Sequence, residues 1–241
     1  MKFSSTLFQF LLPPQCPCCE RFLEEGQQGF CPNCLSDIRW IEPPFCSTCG
    51  IPFISDEVEC HPCGACLTDK KYFTMARALG AYEGSLREAI HRWKYEGKTS
   101  FTPLFAEWMA AGLKHYWKSD SFDFLLPVPL HPQRLRERGF NQALLLVKEL
   151  SRRIGIPYEK TILQKKRPTI PQVNLSGQER ERGVRGTFHV IGKKDLERKS
   201  VLLVDDVYTT GATVNECSRV LLRGGVERVD ILTLAHAIKT S

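Results

Sequence analysis

The sequence predicts an α/β protein: a mostly parallel sheet with helices on both faces, preceded by a small metal-stapled module. Three observations predict it. Ten of the 11 cysteines fall between Cys16 and Cys66, leaving only Cys217 in the rest of the 241 residues. Beyond residue 84, short apolar runs alternate with segments of helical periodicity, the pattern of strand–helix–strand units. Charge divides at the same place: the overall +6 resolves into −5 for residues 1–66 and +11 for residues 67–241. We set the boundary between the two parts at residues 67–71, giving a head of residues 1–68 and a body of residues 69–241. A length of 241 residues with 42% hydrophobic and 25% charged side chains is ample for a packed core and excludes wholesale disorder.

Residues 1–12 carry Phe3, Leu7, Phe8, Leu11 and Leu12 at roughly helical spacing, which predicts a short amphipathic helix. A secretory leader fits less well. The apolar stretch is broken by Ser4, Ser5, Thr6 and Gln9, and it runs into Pro13-Pro14 where a leader needs small residues. No uninterrupted apolar run reaches the roughly 18–20 residues of a membrane span. The expected location is therefore the cytoplasm, where clustered thiols stay reduced and bind metal more often than they form disulfides.

The cysteines come in Cys-x-x-Cys pairs: Cys16 with Cys19, Cys31 with Cys34, Cys46 with Cys49, and Cys63 with Cys66. A two-residue gap lets both thiolates of a pair reach one ion from a tight turn. The gaps of eleven and thirteen residues within the first two and last two pairs are each long enough for a hairpin that returns to the same ion. Two closed Cys₄ tetrahedra follow, with no open position for substrate, so the expected role is structural zinc. Sequential pairing gives two ribbons in a row, while interleaved pairing is also compatible with the spacing. Cys60 and His61 add an alternative, since Cys60-x-x-Cys63 is itself a valid pair. Cys18, Cys60 and Cys217 are left over, Cys217 as a small hydrophobe on a buried helix face. Redox cysteine chemistry or an iron–sulfur cluster is the rival reading of the head, and metal analysis discriminates it.

In the body, Gly84–Tyr95 reads as a helix with Leu86, Ile90 and Trp93 on one face, stopped at Gly97. A second helix is expected over residues 103–117. Residues 122–130 (FDFLLPVPL) form a nearly all-apolar run, the mark of a strand buried on both faces, and we expect it to be the first strand. A helix over 141–154 follows, then a strand over 158–163. Residues 164–185 are polar, basic and aperiodic, a long loop of the kind that in a compact domain is either functional or disordered. A strand over 200–206, a helix over Ala212–Arg223 halted by Gly224-Gly225, and a strand over 228–235 complete the body.

In an open parallel sheet, ligands bind beyond the carboxyl ends of the strands. The run from Val201 to Thr213 (VLLVDDVYTTGAT) puts two carboxylates, Asp205 and Asp206, at such an end, followed by a turn that opens a helix. Backbone N–H groups at a helix N-terminus attract phosphate. Gly211 permits close approach, and Thr209, Thr210 and Thr213 offer hydroxyls. The carboxylates suit ribose hydroxyls or a hydrated Mg²⁺.

This run resembles the 5-phosphoribosyl-1-pyrophosphate (PRPP) motif of the type I phosphoribosyltransferases. That resemblance implies Asp205 and Asp206 as catalytic, ribose-facing carboxylates, and Thr209, Thr210, Gly211, Ala212 and Thr213 as the 5-phosphate loop. The cysteine head, Tyr82-Glu83-Gly84, Lys94-Tyr95-Glu96-Gly97, Pro127-Val128-Pro129-Leu130, Arg138-Gly139-Phe140-Asn141-Gln142 and the PRPP motif, in this order, are similar to the ComF family, which includes ComFC and proteins named GntX. The similarity runs from Pro13-Pro14-Gln15-Cys16 to the last strand. It implies a double zinc ribbon before a type I phosphoribosyltransferase-like sheet with flanking helices. It also implies a role in natural transformation on the cytoplasmic side, with PRPP and Mg²⁺, single-stranded DNA and other DNA-uptake proteins as partners. Zinc would be held by Cys16, Cys19, Cys31, Cys34, Cys46, Cys49, Cys63 and Cys66.

In such folds the loop after the first strand binds pyrophosphate, which makes His131, Arg134, Arg136 and Arg138 candidates. Arg167, Thr169, Gln172 and Arg180 fall in the stretch that resembles the hood over PRPP, and Lys94 is a further candidate. For each basic residue alone, a solvated surface charge is the competing reading, and His91 and His131 read as surface or packing residues. Residues 131–199 hold 17 Lys or Arg against 7 Asp or Glu, nearly all of the body's excess, and that density invites a polyanion. The aromatic platforms of a dedicated single-strand binder are sparse there: Phe140, Tyr158 and Phe188. A PRPP-binding transformation protein with affinity for single-stranded DNA is the leading expectation. The alternatives are a phosphoribosyltransferase for an unidentified acceptor and a non-catalytic PRPP or nucleotide sensor.

Overall fold

The structure, a computed structural model, describes residues 14–24, 26–27, 29–53, 59–118, 121–166, 183–192 and 196–238. The helix expected over residues 1–12 and the hood candidates Arg167, Thr169, Gln172 and Arg180 lie outside the described residues.

Four parallel strands make the sheet: β1 (Ala76–Ala81), β2 (Phe124–Pro127), β5 (Ser200–Tyr208) and β6 (Arg228–His236), in the order β1-β6-β5-β2. The central pair, β5 and β6, is apolar almost throughout because helices or the head cover both faces. Alternate residues point to opposite cores. Leu125, Leu202, Val204, Leu232 and Leu234 meet Leu86, Ile90 and Trp93 of α3 (Gly84–Tyr95), Phe105 and Met109 of α4 (Thr102–Tyr116), and Leu146 and Leu150 of α6 (Gln142–Ile154). On the other face Leu126, Val201, Leu203 and Ile231 meet Val214, Cys217 and Leu221 of α7 (Ala212–Arg223). Cys217 is thus a core side chain, as its place on a helix face predicts.

The head straddles the sheet edge. Residues 39–41 pair with β1, Ile41 N–H donating to Leu79 O (2.9 Å) and Ala81 N–H to Arg39 O (2.8 Å). Cys16, Leu23, Phe30 and Cys31 join the first core, while Cys46 and Cys49 join the second. Two short helices, α1 (Pro32–Ser36) and α2 (Gly64–Thr68), follow cysteine knuckles. At Gly50 (φ +74°) a Cβ would lie 2.7 Å from Ala76 O, so only glycine lets that knuckle press onto β1. The head also caps α3: Asp37 accepts from Ser85 N–H and Oγ, both at 2.8 Å, a service that Glu83 at the cap position does not perform.

The structure corrects several sequence expectations. The first strand is β1, whose sequence ARALGA carries little hydrophobic signal and is buried because the head covers it. The run at 122–130 is therefore the second strand. It narrows to Phe124–Pro127, since Pro127 and Pro129 cannot donate to a ladder, although Val128 N–H still bonds Val204 O (2.9 Å). The expected strand at 158–163 reduces to one parallel bridge, Tyr158 to Leu125. The chain then leaves the sheet through polar residues. Gln164 and Lys165 belong to β3 (Leu163–Lys165), antiparallel to β4 (Phe188–Val190), and not to a loop. Helix α5 (Pro132–Arg138) was not anticipated, being short and largely charged.

Candidate functional site

Strand β5 delivers Asp205 and Asp206 to the carboxyl end of the sheet, where their side chains diverge to opposite faces. On the α3 side, Lys94 Nζ stands 2.8 Å from Asp206 Oδ1, both side chains being 13% exposed. Burial works against the Lys94 charge, yet Asp206 outweighs it and the lysine pKa rises. Lys94 was one candidate among several, and the fold carries it from a helix over a hundred residues away onto the carboxylate pair. Asp205 accepts from Asp206 N–H at 2.9 Å. Burial, and then the charge of Asp206, push its carboxyl up to about 7, against the opposing pull of that N–H, Lys94 and Lys165.

Lys165, from β3, was absent from the expected site because it sits in an aperiodic basic stretch with no distinguishing neighbour. Burial lowers its pKa, Asp205 works in the opposite direction, and the field of Arg134 adds to the lowering. Arg138 lies elsewhere on the rim, with Nη1 donating to Gln142 Oε1 (3.1 Å) and Nη2 to Tyr95 Oη (3.2 Å). Asn141 fastens the end of β2 to α6, its Nδ2 donating to Val128 O (3.1 Å) and its Oδ1 accepting from Leu144 N–H. His131 caps α5 by accepting from Gln133 N–H, and His91 lies against Tyr95.

The turn after β5 leads straight into α7. Thr209 is exposed and Thr210 half-buried, with Thr210 Oγ1 accepting from Ala212 N–H at 3.4 Å. Gly211 occupies the left-handed region (φ +75°), and a Cβ there would lie 2.1 Å from Tyr208 Oη. Tyr208 is buried between His236 (stacked, 4.6 Å) and Phe73 (edge-on, 6.4 Å) and acts as the floor of this turn. Burial drives the His236 pKa down to about 4, so the ring stacks as a neutral imidazole. Ala212 and Thr213 form the first turn of α7, whose leading N–H groups have no partner within the helix. Asn215 in the next turn accepts from Tyr72 N–H (2.7 Å) and donates to Lys70 O (3.1 Å), tying α7 to the segment that leaves the head.

Eight of the cysteines gather into two sets, Cys16, Cys19, Cys31 and Cys34, and Cys46, Cys49, Cys63 and Cys66, with all sulfurs of a set within 4.8 Å of one another. This is the sequential grouping, and exposed Cys60 stands outside it. Cys19 and Cys31 sulfurs are 3.7 Å apart, as are those of Cys49 and Cys63. A tetrahedron with zinc–sulfur bonds of about 2.3 Å has an edge of about 3.8 Å, so the donor sets fit the ion. Burial alone would raise the Cys46 thiol, but N–H groups of Cys49, Cys63 and Thr48 bring it to about 7. Cys16 reaches about 7 in the same way. Burial drives Cys49 and Cys66 upward, so these clusters call for a cation to hold four thiolates together.

Two domain families match stretches of the chain. The sequence profile of the double zinc ribbon domain matches residues 7–67, and that of the phosphoribosyl transferase domain matches residues 141–240. Competence protein F of Haemophilus influenzae is 30% identical over 227 residues, covering 92% of this chain and 97% of its own. DNA utilization protein YhgH of Escherichia coli is 27% identical over 230 residues, covering 94% and 99%. Competence protein ComFC of Bacillus subtilis is 28% identical over 207 residues, covering 85% and 82%. Ribbon and transferase domain are matched together, end to end, within single relatives, and the chain therefore belongs to the ComF family of competence proteins.

Proposed function

We propose that this protein binds PRPP with Mg²⁺ at the end of β5 and acts in DNA uptake during natural transformation, handling single-stranded DNA on the cytoplasmic side. The observation that carries the reading is the juxtaposition of Asp205 and Asp206 with the Gly211-capped N-terminus of α7. A ribose 5-phosphate needs both parts: acceptors for its hydroxyls and a ring of N–H and O–H donors for its phosphate. Asp205 and Asp206 take the ribose, while Thr209, Thr210, Gly211, Ala212 and Thr213 take the phosphate. Lys94 holds Asp206 in place through their ion pair. Arg134 and Lys165 supply positive potential for the pyrophosphate and its Mg²⁺, and Arg167 and Gln172, outside the described residues, would add further donors to it. Cys16, Cys19, Cys31, Cys34, Cys46, Cys49, Cys63 and Cys66 hold two structural zinc ions.

The transformation role draws support from relatives named for competence and DNA utilization. Single-strand binding draws on the net +10 of residues 131–199. Calorimetric titration with PRPP and Mg²⁺ tests the site. Heat is expected for the wild type and none for Asp205→Ala/Asp206→Ala; equal heats for both remove the assignment. A deletion strain is expected to lose transformation, and normal transformation in that strain overturns the role.

A further inference from the structure

Lys94 and Tyr95 close α3 and point in different directions. Lys94 turns inward to Asp206, whereas Tyr95 stays 60% exposed. The guanidinium of Arg138, brought by α5, lies 4.9 Å from the Tyr95 ring centroid and bonds its hydroxyl. Its other arm is anchored on Gln142, which is 1% exposed and whose Nε2 has no partner among the described residues. The His91 ring stands 4.7 Å from Tyr95, tilted by 44°. A strut that merely joined α3 to α5 would gain by burying the ring. Here the ring is left open to solvent beside a half-buried flat cation, one residue from the ion pair with Asp206.

We propose that Tyr95 and Arg138 form a stacking platform for a nucleobase at the rim of the PRPP site. Every base has a π-face, and tyrosine rings and guanidinium planes are the surfaces on which unpaired bases stack. Arg134, one turn before Arg138 on the same helix, places a second cation along that face for the adjoining phosphate. The platform rests on the single-strand reading above. It supplies from outside residues 131–199 the aromatic surface that this basic stretch lacks.

The test is a single-stranded oligodeoxynucleotide carrying 2-aminopurine, titrated into the full-length protein at low salt. Stacking on the platform quenches the 2-aminopurine emission. Tyr95→Ala is expected to weaken binding about 5- to 150-fold, the range of one stacked base, and to abolish the quenching. Tyr95→Trp is expected to retain both, and PRPP titration of Tyr95→Ala to match the wild type, which shows an intact fold. If the wild type binds the strand and Tyr95→Ala binds it equally well with unchanged quenching, the platform alone is overturned. If the wild type ignores the strand altogether, the single-strand reading falls and takes the platform with it.

Discussion

Asp205 sits where burial and a neighbouring carboxylate resist its ionisation, with its pKa pushed up to about 7. A ligand that donates hydroxyl hydrogen bonds, or brings Mg²⁺, prefers the ionised form. PRPP affinity is therefore expected to rise as pH increases through about 7, and Asp205→Asn to flatten that dependence in calorimetric titrations. Stability runs the other way. The folded protein holds this proton between about pH 4 and 7 while the unfolded chain has released it, so the contribution of Asp205 to stability falls across that window as pH rises. Melting temperatures of the wild type and Asp205→Asn between pH 5 and 8 check the sign. Gly211 is a second single-residue constraint, because its left-handed backbone and the Tyr208 hydroxyl leave no place for a Cβ. Gly211→Ala is expected to cost about 1–3 kcal/mol in denaturant unfolding and to weaken PRPP binding by moving the phosphate turn. The Asp205-Asp206 pair and the threonine-glycine turn were legible in the sequence, since they are contiguous and their order matches the chemistry. Lys94, Lys165 and Tyr95 were not legible as neighbours, because contacts made across the chain leave no local pattern.

Among the elements, the long periodic segments were the easiest to read. Ala212–Arg223 is a helix as its spacing predicts, and the helices expected at 103–117 and 141–154 differ from α4 by one residue at each end and from α6 by one residue at its start. Strand β1 was missed because its burial comes from the head and not from apolar side chains of its own. The ribbon of β3 and β4 was missed because a three-residue strand gives no usable period. The cysteine knuckles act on the sheet as elements, one set in each core. Cys46→Ser is thus expected to lower the zinc content from two ions per chain to one. It should also reduce the melting temperature markedly, because Phe73, Tyr208 and the phosphate turn lose their support on that face. Metal analysis with calorimetry reads both effects. An unchanged melting temperature would mean that the second ribbon does not brace the sheet.

At the scale of the whole molecule, an acidic head clamps the β1 edge of a basic body, and the ligand end of the sheet pairs Lys94 with Asp206 while Arg138 is held on the neighbouring Tyr95. Binding of single-stranded DNA is expected to weaken steeply with salt, with log K falling linearly in log salt as phosphate contacts release counterions. Arg134→Ala/Arg136→Ala is expected to lower that slope by about 1.4. Fluorescence titrations from about 50 to 200 mM salt measure it, and a flat response would remove the electrostatic argument. By itself the sequence determined the cysteine pairs, the alternation of strands and helices, and the phosphate motif, because each depends on spacing along the chain and on local backbone chemistry. The tertiary structure alone decided that the cysteines group sequentially, that each set braces a different face of the sheet, and that Lys94 meets Asp206 while Tyr95 meets Arg138. The reason is physical. Long-range packing and ion pairing are set by how buried surfaces fit together, and that fit exists only once the chain has closed its loops.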